Sequence, residues 1–293
     1  MSKLQEGVDR SEPVGVIGAG SFGTAVANLL ANNTDVLIYA RDEDTVAKIN
    51  AEHINLDVPL SPRIRATADI REIAEKCEML FPIVPSDNFR DMMRDFSPYL
   101  HPYHLMIHGT KGFDLKITDP SAPITRDNLR TMTEVIREES VVVRVGCLSG
   151  PNLAREIFEG QPTATVVASQ YEEVIQKTKQ VLSSKRFQVF GSHEVLGAEL
   201  AGALKNTIAI GSGILSGMGM GKNIQALLIT RGLMEMIRFG EAMGASPKAF
   251  LGTAGIGDLI CTATSTKSRN FTFGRRLGEG EAINHIKATM PEL

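Results

Sequence analysis

Val14-Gly15-Val16-Ile17-Gly18-Ala19-Gly20-Ser21-Phe22-Gly23 is the stretch on which the fold of this 293-residue chain turns. Val14 to Gly18 is a short apolar run that reads as a buried strand, and Ser21 to Ala31 reads as a helix. Gly18, Gly20 and Gly23 stand between them in G-x-G-x-x-G spacing, and a second strand, Val36-Leu37-Ile38-Tyr39-Ala40, follows. A glycine hexamer that leaves a strand, opens a helix and leads to another strand is the setting of a dinucleotide site. Gly18 permits the tight turn, Gly20 lets the backbone approach a pyrophosphate, and Gly23 lets the helix pack on its strand. The first N–H groups of the helix and its dipole then favour the anion.

The end of the second strand bears on which dinucleotide is bound. NAD sites usually carry Asp or Glu there, against the ribose 2′-hydroxyl. This chain has Tyr39-Ala40-Arg41-Asp42. Arg41 can stack on adenine or pair with a 2′-phosphate, which admits NADP(H), while Asp42 can still reach a ribose, which keeps NAD(H) open. The plain alternative for Arg41 is a surface cation.

Strand and helix patterns alternate as far as residue 190. Further strands are expected at Met79 to Val84, His104 to His108, Val141 to Val145, Thr163 to Ala168 and Phe187 to Phe190, with helices at Ser86 to Phe96, Arg126 to Arg137 and Glu172 to Leu182. Near-continuous apolar strands alternating with helices indicate a doubly wound, mostly parallel sheet covered on both faces, an α/β fold of Rossmann type. After Ser192-His193 strand signals cease, and Val195 to Leu215, Asn223 to Met243 and Pro247 to Leu251 read as helices. Two domains are expected: 1–190, dinucleotide-binding, and 191–293, helical, carrying the substrate and catalytic groups.

Composition narrows the partners. Hydrophobic residues make up 43% and charged residues 22%, ordinary for a soluble globular protein. A formal net charge of −3 argues against nucleic acid or an anionic membrane as the main partner. Met1-Ser2-Lys3-Leu4-Gln5-Glu6-Gly7 lacks the apolar core of a signal peptide. Asn206 to Gly221, the longest uncharged run, is too short and too rich in Gly, Ser and Asn to span a bilayer. Cys77, Cys147 and Cys261 lie far apart without metal spacing, fit a reducing cytosol, and default to buried thiols. His101, His104 and His108 have no acidic or Cys partners nearby in sequence, so no metal site is expected. The 12 methionines default to core filling, and Arg231 with Glu235, one turn apart, to an ordinary ion pair.

Lys205 is the most telling single residue. A helix that is apolar all round is normally buried, yet Val195 to Leu215 contains Glu199, Lys205 and Asn206. Burial pulls an ammonium pKa below its free value of about 10.4, and a lysine near neutrality can give and take protons. The competing reading is a paired or snorkelling surface lysine. Other candidate groups cluster in loops: Gly109-Thr110-Lys111-Gly112 and Ser149-Gly150-Pro151-Asn152 at strand ends, then Gly255-Ile256-Gly257-Asp258 and Ser268-Arg269-Asn270 around a Thr-rich loop. Ligands of open α/β sheets sit at such strand ends.

These motifs resemble the bacterial NAD(P)-dependent sn-glycerol-3-phosphate dehydrogenase family. The resemblance also runs through Gly160-Gln161-Pro162-Thr163-Ala164, Gly202-Ala203-Leu204-Lys205-Asn206, Leu228-Ile229-Thr230-Arg231-Gly232 and Gly257-Asp258-Leu259, and covers the chain from the glycine loop to about Gly278. It implies an oxidoreductase that reversibly reduces dihydroxyacetone phosphate to sn-glycerol 3-phosphate with NADP(H) or NAD(H), for glycerophospholipid synthesis, in a cytoplasmic and usually dimeric protein. By position it implies that Lys205 is the proton donor and acceptor, with Lys111 and Asp258 beside it as catalytic groups. Substrate contacts are implied for Lys111, Gly150, Asn152, Lys205, Asp258, Ser268, Arg269 and Asn270. Cofactor contacts are implied for Gly18, Gly20, Ser21, Phe22, Gly23, Arg41, Lys111, Ala154 and Arg269.

Two features depart from the pattern. The family continues well past Leu293, including a Glu that closes over the cofactor, so the sequence reads as truncated with a weakened cofactor grip. Asn55-Leu56-Asp57-Val58-Pro59 also matches the family's Leu-Pro-Gly loop poorly. Reducing a ketone builds charge on oxygen, which a desolvated cation stabilises and a proton donor discharges. Lys205 is expected to do both, with Lys111 and Arg269 lowering its pKa and Asp258 opposing and orienting. The alternatives are a β-hydroxyacid dehydrogenase, in which Lys and Asn are separated along the helix, and a dinucleotide-sensing non-enzyme.

Overall fold

The computed structural model describes residues 12–116 and 123–290, so Met1 to Gly7 and the last three residues lie outside the description. Near-continuous apolar strands, buried at every position in β1, β6 and β7, build one eight-stranded sheet. β1 (Val14–Ile17) leads through α1 (Ser21–Leu30) to β2 (Val36–Tyr39), then α2 (Glu43–Glu52). A small hairpin, β3 (Ile54–Asn55) and β4 (Val58–Pro59), precedes β5 (Ile64–Thr67), α3 (Ile70–Lys76) and β6 (Met79–Pro82). Next come α4 (Phe89–Phe96), β7 (Leu105–His108), the paired β8 (Asp114–Leu115) and β9 (Leu129–Arg130), and α5 (Met132–Glu139). β10 (Arg144–Ser149), α6 (Ala154–Phe158), β11 (Thr163–Ser169), α7 (Glu172–Leu182) and β12 (Phe187–Ser192) complete this half.

The strand order is β12-β11-β10-β7-β6-β1-β2-β5. All neighbours run parallel except β10 and β11, which pair antiparallel from Gly146 against Ser169 to Ser149 against Val166. Successive strand residues feed opposite cores: Val16, Phe81 and Ile107 face the side covered by α1 and α7, whereas Ile17, Leu80 and Met106 face Ile73, Phe89, Met93 and Ile136 of α3, α4 and α5. The chain leaves β1 for β2 on one side and returns to β6 on the other. That reversal opens a crevice at the carboxyl ends of the strands, above the glycine loop.

Among the described residues only helices follow β12: α8 (Val195–Gly217), α9 (Lys222–Ala242), α10 (Asp258–Thr264), α11 (Arg269–Gly278) and α12 (Ile283–Thr289), with a π turn over Thr253–Gly257. α8 and α11 pack backbone to backbone. A Cβ on Gly213 would lie 2.1 Å from the Phe271 carbonyl oxygen, and one on Gly274 2.0 Å from that of Ile210. That close approach sets the start of α11 beside the middle of α8, where Lys205 sits.

Several expected elements shift. The helix expected over Arg126 to Arg137 begins only at Met132, because Thr131 and Glu134 form a reciprocal capping box and Leu129–Arg130 pairs with Asp114–Leu115. The strand expected from Val141 starts at Arg144, with Val141 and Val143 exposed. Ser86 to Asn88 form a 3₁₀ turn before α4. Arg231 and Glu235 are both exposed and form no ion pair among the described residues, contrary to expectation.

Candidate active site

Three parallel strands end at the same edge and each supplies a loop. After β1, the backbone of Gly18 has φ 116°, and a Cβ there would lie 2.3 Å from the Ile83 carbonyl oxygen. A Cβ on Gly23 would lie 2.1 Å from the Gly18 oxygen, whereas one on Gly20 would meet nothing within 4 Å. Gly18 and Gly23 therefore shape the turn, and Gly20 faces open space at the start of α1, as a backbone that receives a pyrophosphate requires. Ser21 opens the helix, and the ring of Phe22 packs against Gly109 at the end of β7. The loop has a brace absent from the sequence reading: buried Asn55 donates from Nδ2 to the Ala19 carbonyl and to Thr24 Oγ1, both at 2.8 Å. Positive φ at Leu56 and Asp57 makes the tight β3–β4 turn that carries Asn55 there.

Arg41 and Asp42 follow β2 on the exposed rim of the crevice. Asp42 is the N-cap of α2, accepting from the Thr45 backbone N–H at 2.9 Å and its hydroxyl at 2.5 Å, contacts that hold its carboxyl below the usual range. Its Oδ2 is thus engaged locally rather than kept for a ribose.

Lys111 follows β7, and Gly150 and Asn152 follow β10. Lys111 Nζ donates to Asp258 Oδ2 at 2.6 Å and to the Gly150 carbonyl at 3.3 Å. Its stem lies along α8 at Gly202, where an added Cβ would stand 3.4 Å from Lys111 Cγ. One turn further along α8, Lys205 Nζ donates to Asp258 Oδ1 at 2.7 Å and to the Thr262 hydroxyl, which itself donates to Asp258 Oδ1 at 3.1 Å. Lys205 is 5% exposed and Asp258 1%, so one buried carboxylate bridges two ammoniums and leaves a net positive site. Burial first, and the Lys111 charge second, pull the Lys205 pKa down to about 8, while Asp258 opposes. The surface-lysine reading of Lys205 is excluded by that burial.

Asn152 donates to Thr165 Oγ1 at 2.8 Å, but its Oδ1 is buried with no hydrogen-bond partner, a costly arrangement that a bound donor would relieve. Ala154 begins α6, which packs beside α1. Ser268 is the N-cap of α11, its buried hydroxyl accepting from the Phe271 N–H. Arg269 is exposed on the first turn, and Asn270 donates to Asn206 Oδ1 at 2.8 Å. Thr262 escaped the sequence reading. Its one available signal is its spacing of four residues from Asp258, which on a helix puts both on one face.

Of the remaining titratable groups, Cys261 lies within electrostatic reach of Lys205, Asp258 and Lys111. His104 stacks on His101 and turns Nε2 to the Ala74 carbonyl, whereas His108 faces Glu199. Burial drives the Cys77 thiol up to about 12 and also pushes the Cys147 thiol well above its ordinary value. Cys261 is only half-buried, not buried as expected.

The chain matches the model described as NAD-dependent glycerol-3-phosphate dehydrogenase N-terminus over residues 13–175 and the corresponding C-terminus model over 194–293. It is 39% identical over 287 residues to a glycerol-3-phosphate dehydrogenase [NAD(P)+] of Azotobacter vinelandii, covering 96% of this chain and 81% of the relative. It is 40% identical over 273 residues to one from Acinetobacter baumannii, covering 92% and 73% respectively. A crystal structure of glycerol-3-phosphate dehydrogenase from Coxiella burnetii superposes with a TM-score of 0.87 at 32% identity, covering 95% of this chain and 84% of that one. With the glycine turn, the doubly wound sheet and the lysine-bearing helical half all matched in order, this chain belongs to the NAD-dependent glycerol-3-phosphate dehydrogenase family.

Proposed function

We propose that this protein is an oxidoreductase that reversibly reduces dihydroxyacetone phosphate to sn-glycerol 3-phosphate with NAD(P)H, supplying glycerophospholipid synthesis. The observation that carries the reading is the Lys205–Asp258–Lys111 bridge at the crevice edge, beside a glycine turn. Gly20 with open space before it fits a bound dinucleotide, and the unpartnered Asn152 Oδ1 fits a hydrogen-bond donor of the substrate. The domain division assigned is 1–190 for the cofactor and 191–293 for catalysis, meeting at the crevice.

A bound nicotinamide supplies or accepts the hydride. Lys205, protonated, faces the carbonyl oxygen, stabilises the charge it gains and then donates its proton, giving the alcohol. In the reverse direction neutral Lys205 accepts the hydroxyl proton. Asp258 and Thr262 hold its nitrogen in place, and burial, aided by the positive potential of Lys111, keeps its pKa within reach of neutrality. Gly150 and Asn152 line the strand-end wall. Arg269, Ser268 and Asn270 at the start of α11 hold the phosphate, the guanidinium by a forked, charge-assisted contact. Gly18, Gly20, Ser21, Phe22, Gly23, Arg41 and Ala154 hold the dinucleotide, and the exposed Arg41 supports acceptance of NADP(H) as well as NAD(H).

No described helix is long and apolar enough to cross a membrane. A cytoplasmic homodimer is the state we assign. The deciding assay follows NADH and NADPH oxidation separately with dihydroxyacetone phosphate, dihydroxyacetone, or the oxidised counterparts of 3-hydroxyisobutyrate and 6-phosphogluconate. Rapid turnover of the phosphorylated triose alone is expected. Tight dinucleotide binding without any ketone reduction would instead favour a sensor, and preference for a hydroxyacid couple the related dehydrogenases.

A further inference from the structure

Glu199 and His108 form a buried pair that the chemistry above does not use. His108 ends β7, three residues before Lys111, and Glu199 lies on α8, six residues before Lys205. Their side chains are 2% and 6% exposed. Glu199 Oε1 lies 3.0 Å from His108 Nε2 and accepts from the Thr133 backbone N–H at 2.8 Å. Thr133 is the second residue of α5, so that N–H is one of the donors a helix start leaves without an internal partner. A carboxylate there also meets the positive end of the α5 dipole. His108 Nδ1 is buried without a partner, and Phe89 packs edge-on against the ring at 5.9 Å between centroids. Nε2 is therefore the nitrogen that donates, to Glu199 Oε1 at 3.0 Å, with the Thr133 hydroxyl oxygen next to it at 3.3 Å.

We propose that Glu199 is a positioning residue. One oxygen of a side chain on α8 is held by two donors of the sheet half, one from the strand that delivers Lys111 and one from the helix behind it. That grip sets the axial position of α8, and with it the distance from Lys205 to Asp258 and Lys111. Sliding a helix by one residue moves its side chains by about 1.5 Å. A displacement of about 1 Å at reacting groups can cost on the order of 10²-fold in rate. The inference rests on the dehydrogenase reading.

Both contacts are made by Oε1, which separates reach from charge experimentally. Glu199→Gln can keep an oxygen at that point and both hydrogen bonds while losing the charge. Glu199→Asp keeps the charge but is one methylene too short to reach both donors unless α8 moves. Measured by steady-state NADPH oxidation with dihydroxyacetone phosphate, kcat of the Gln variant should stay within about threefold of wild type. The Asp variant should lose about tenfold or more in kcat, with its cofactor Kd within about threefold. Its alkaline kcat limb, set near pH 8 by Lys205 in the wild type, should move to lower pH as contact with Asp258 loosens. An Asp variant as fast as wild type, or a Gln variant as slow as Asp, would overturn the proposal.

If the Asp variant does not fold, His108→Gln, which keeps an amide donor, should turn over faster than His108→Leu, which has none. Equal turnover of that pair would also overturn it. A wild type unable to reduce the ketone refutes the dehydrogenase reading itself. An active wild type with unaltered Glu199 variants refutes only the positioning role.

Discussion

Lys205→Met removes the ammonium and leaves an unbranched apolar side chain of nearly the same length whose end faces Asp258 and Thr262. Two opposing terms decide whether the variant folds. In the wild type the pKa is depressed from 10.5 to about 8, so holding that charge below pH 8 costs roughly 3 kcal/mol, which the variant no longer bears. Against this, breaking a buried ion pair outright costs about 3–5 kcal/mol. Here Asp258 keeps Lys111 at 2.6 Å and the Thr262 hydroxyl at 3.1 Å, so the loss is smaller. The terms nearly cancel, and the variant should fold within about 2 kcal/mol of wild type.

The kinetic effect should be far larger. Loss of a general acid lowers kcat by about 10²–10⁴-fold, or roughly 3–5 kcal/mol of barrier. The assay is kcat for ketone reduction at saturating NADPH, with cofactor Kd from nicotinamide fluorescence as the control. The sign of the pH dependence follows from Lys205. Reduction needs it protonated and should fall as pH rises through about 8, whereas alcohol oxidation needs it neutral and should rise through the same region. Stability follows the same proton. Above about pH 8 the unfolded chain still binds it and the folded chain does not, so the wild type should gain stability from about pH 8 towards 10.5. The Met variant should lack both limbs and that gain. Retention of more than about a tenth of wild-type turnover with normal cofactor binding would refute the assignment.

Asp258→Asn leaves two ammoniums facing each other without their bridging charge, so the Lys205 pKa should drop further and the alkaline limb of reduction should move below pH 8. A limb that stays in place would remove Asp258 from control of Lys205. Arg269→Ala should raise KM for dihydroxyacetone phosphate by about tenfold or more and erode the preference over dihydroxyacetone, with kcat changing less. An unchanged preference in competition assays would take Arg269 off the phosphate. Gly23→Ala puts a methyl 2.1 Å from the Gly18 oxygen, so the turn must open, and dinucleotide affinity measured by fluorescence titration should fall by about tenfold or more. Affinity equal to wild type would mean that this turn does not hold the pyrophosphate.

What could be read from the chain divides by the range of the forces involved. The glycine turn is legible because its cause lies within six residues: Gly18 and Gly23 touch each other, and no side chain fits between them. Lys205 is legible because a charge inside an apolar helix conflicts with its surroundings whatever they pack against. The late start of α5 was also written locally, in Thr131 and Glu134, and was outweighed by the polar helix pattern upstream of them. Asp42 shows the opposite hazard: a carboxylate placed to suggest a ribose contact had a nearer use in Thr45.

Asn55, Thr262 and Glu199 belong to another category. Asn55 reaches a loop 36 residues earlier, Thr262 meets Lys205 57 residues away, and Glu199 meets Thr133 66 residues away. A periodic pattern records which face of an element is buried, not which donor it will find there. Asn55 and Thr262 resemble solvated surface groups until their partners are placed, and Glu199, though visible as a charge in an apolar helix, points to no particular partner. Burial then reverses the reading, because an unpartnered polar group inside the protein costs about 1–3 kcal/mol while a satisfied one can fix geometry. The residues we assign to the reaction thus stand out in the chain, but the groups that hold them in place emerge only from the junction of sheet and helices. The contrast between Glu199→Gln and Glu199→Asp is informative for that reason: it changes the reach of one such group while leaving every reacting atom in the chain intact.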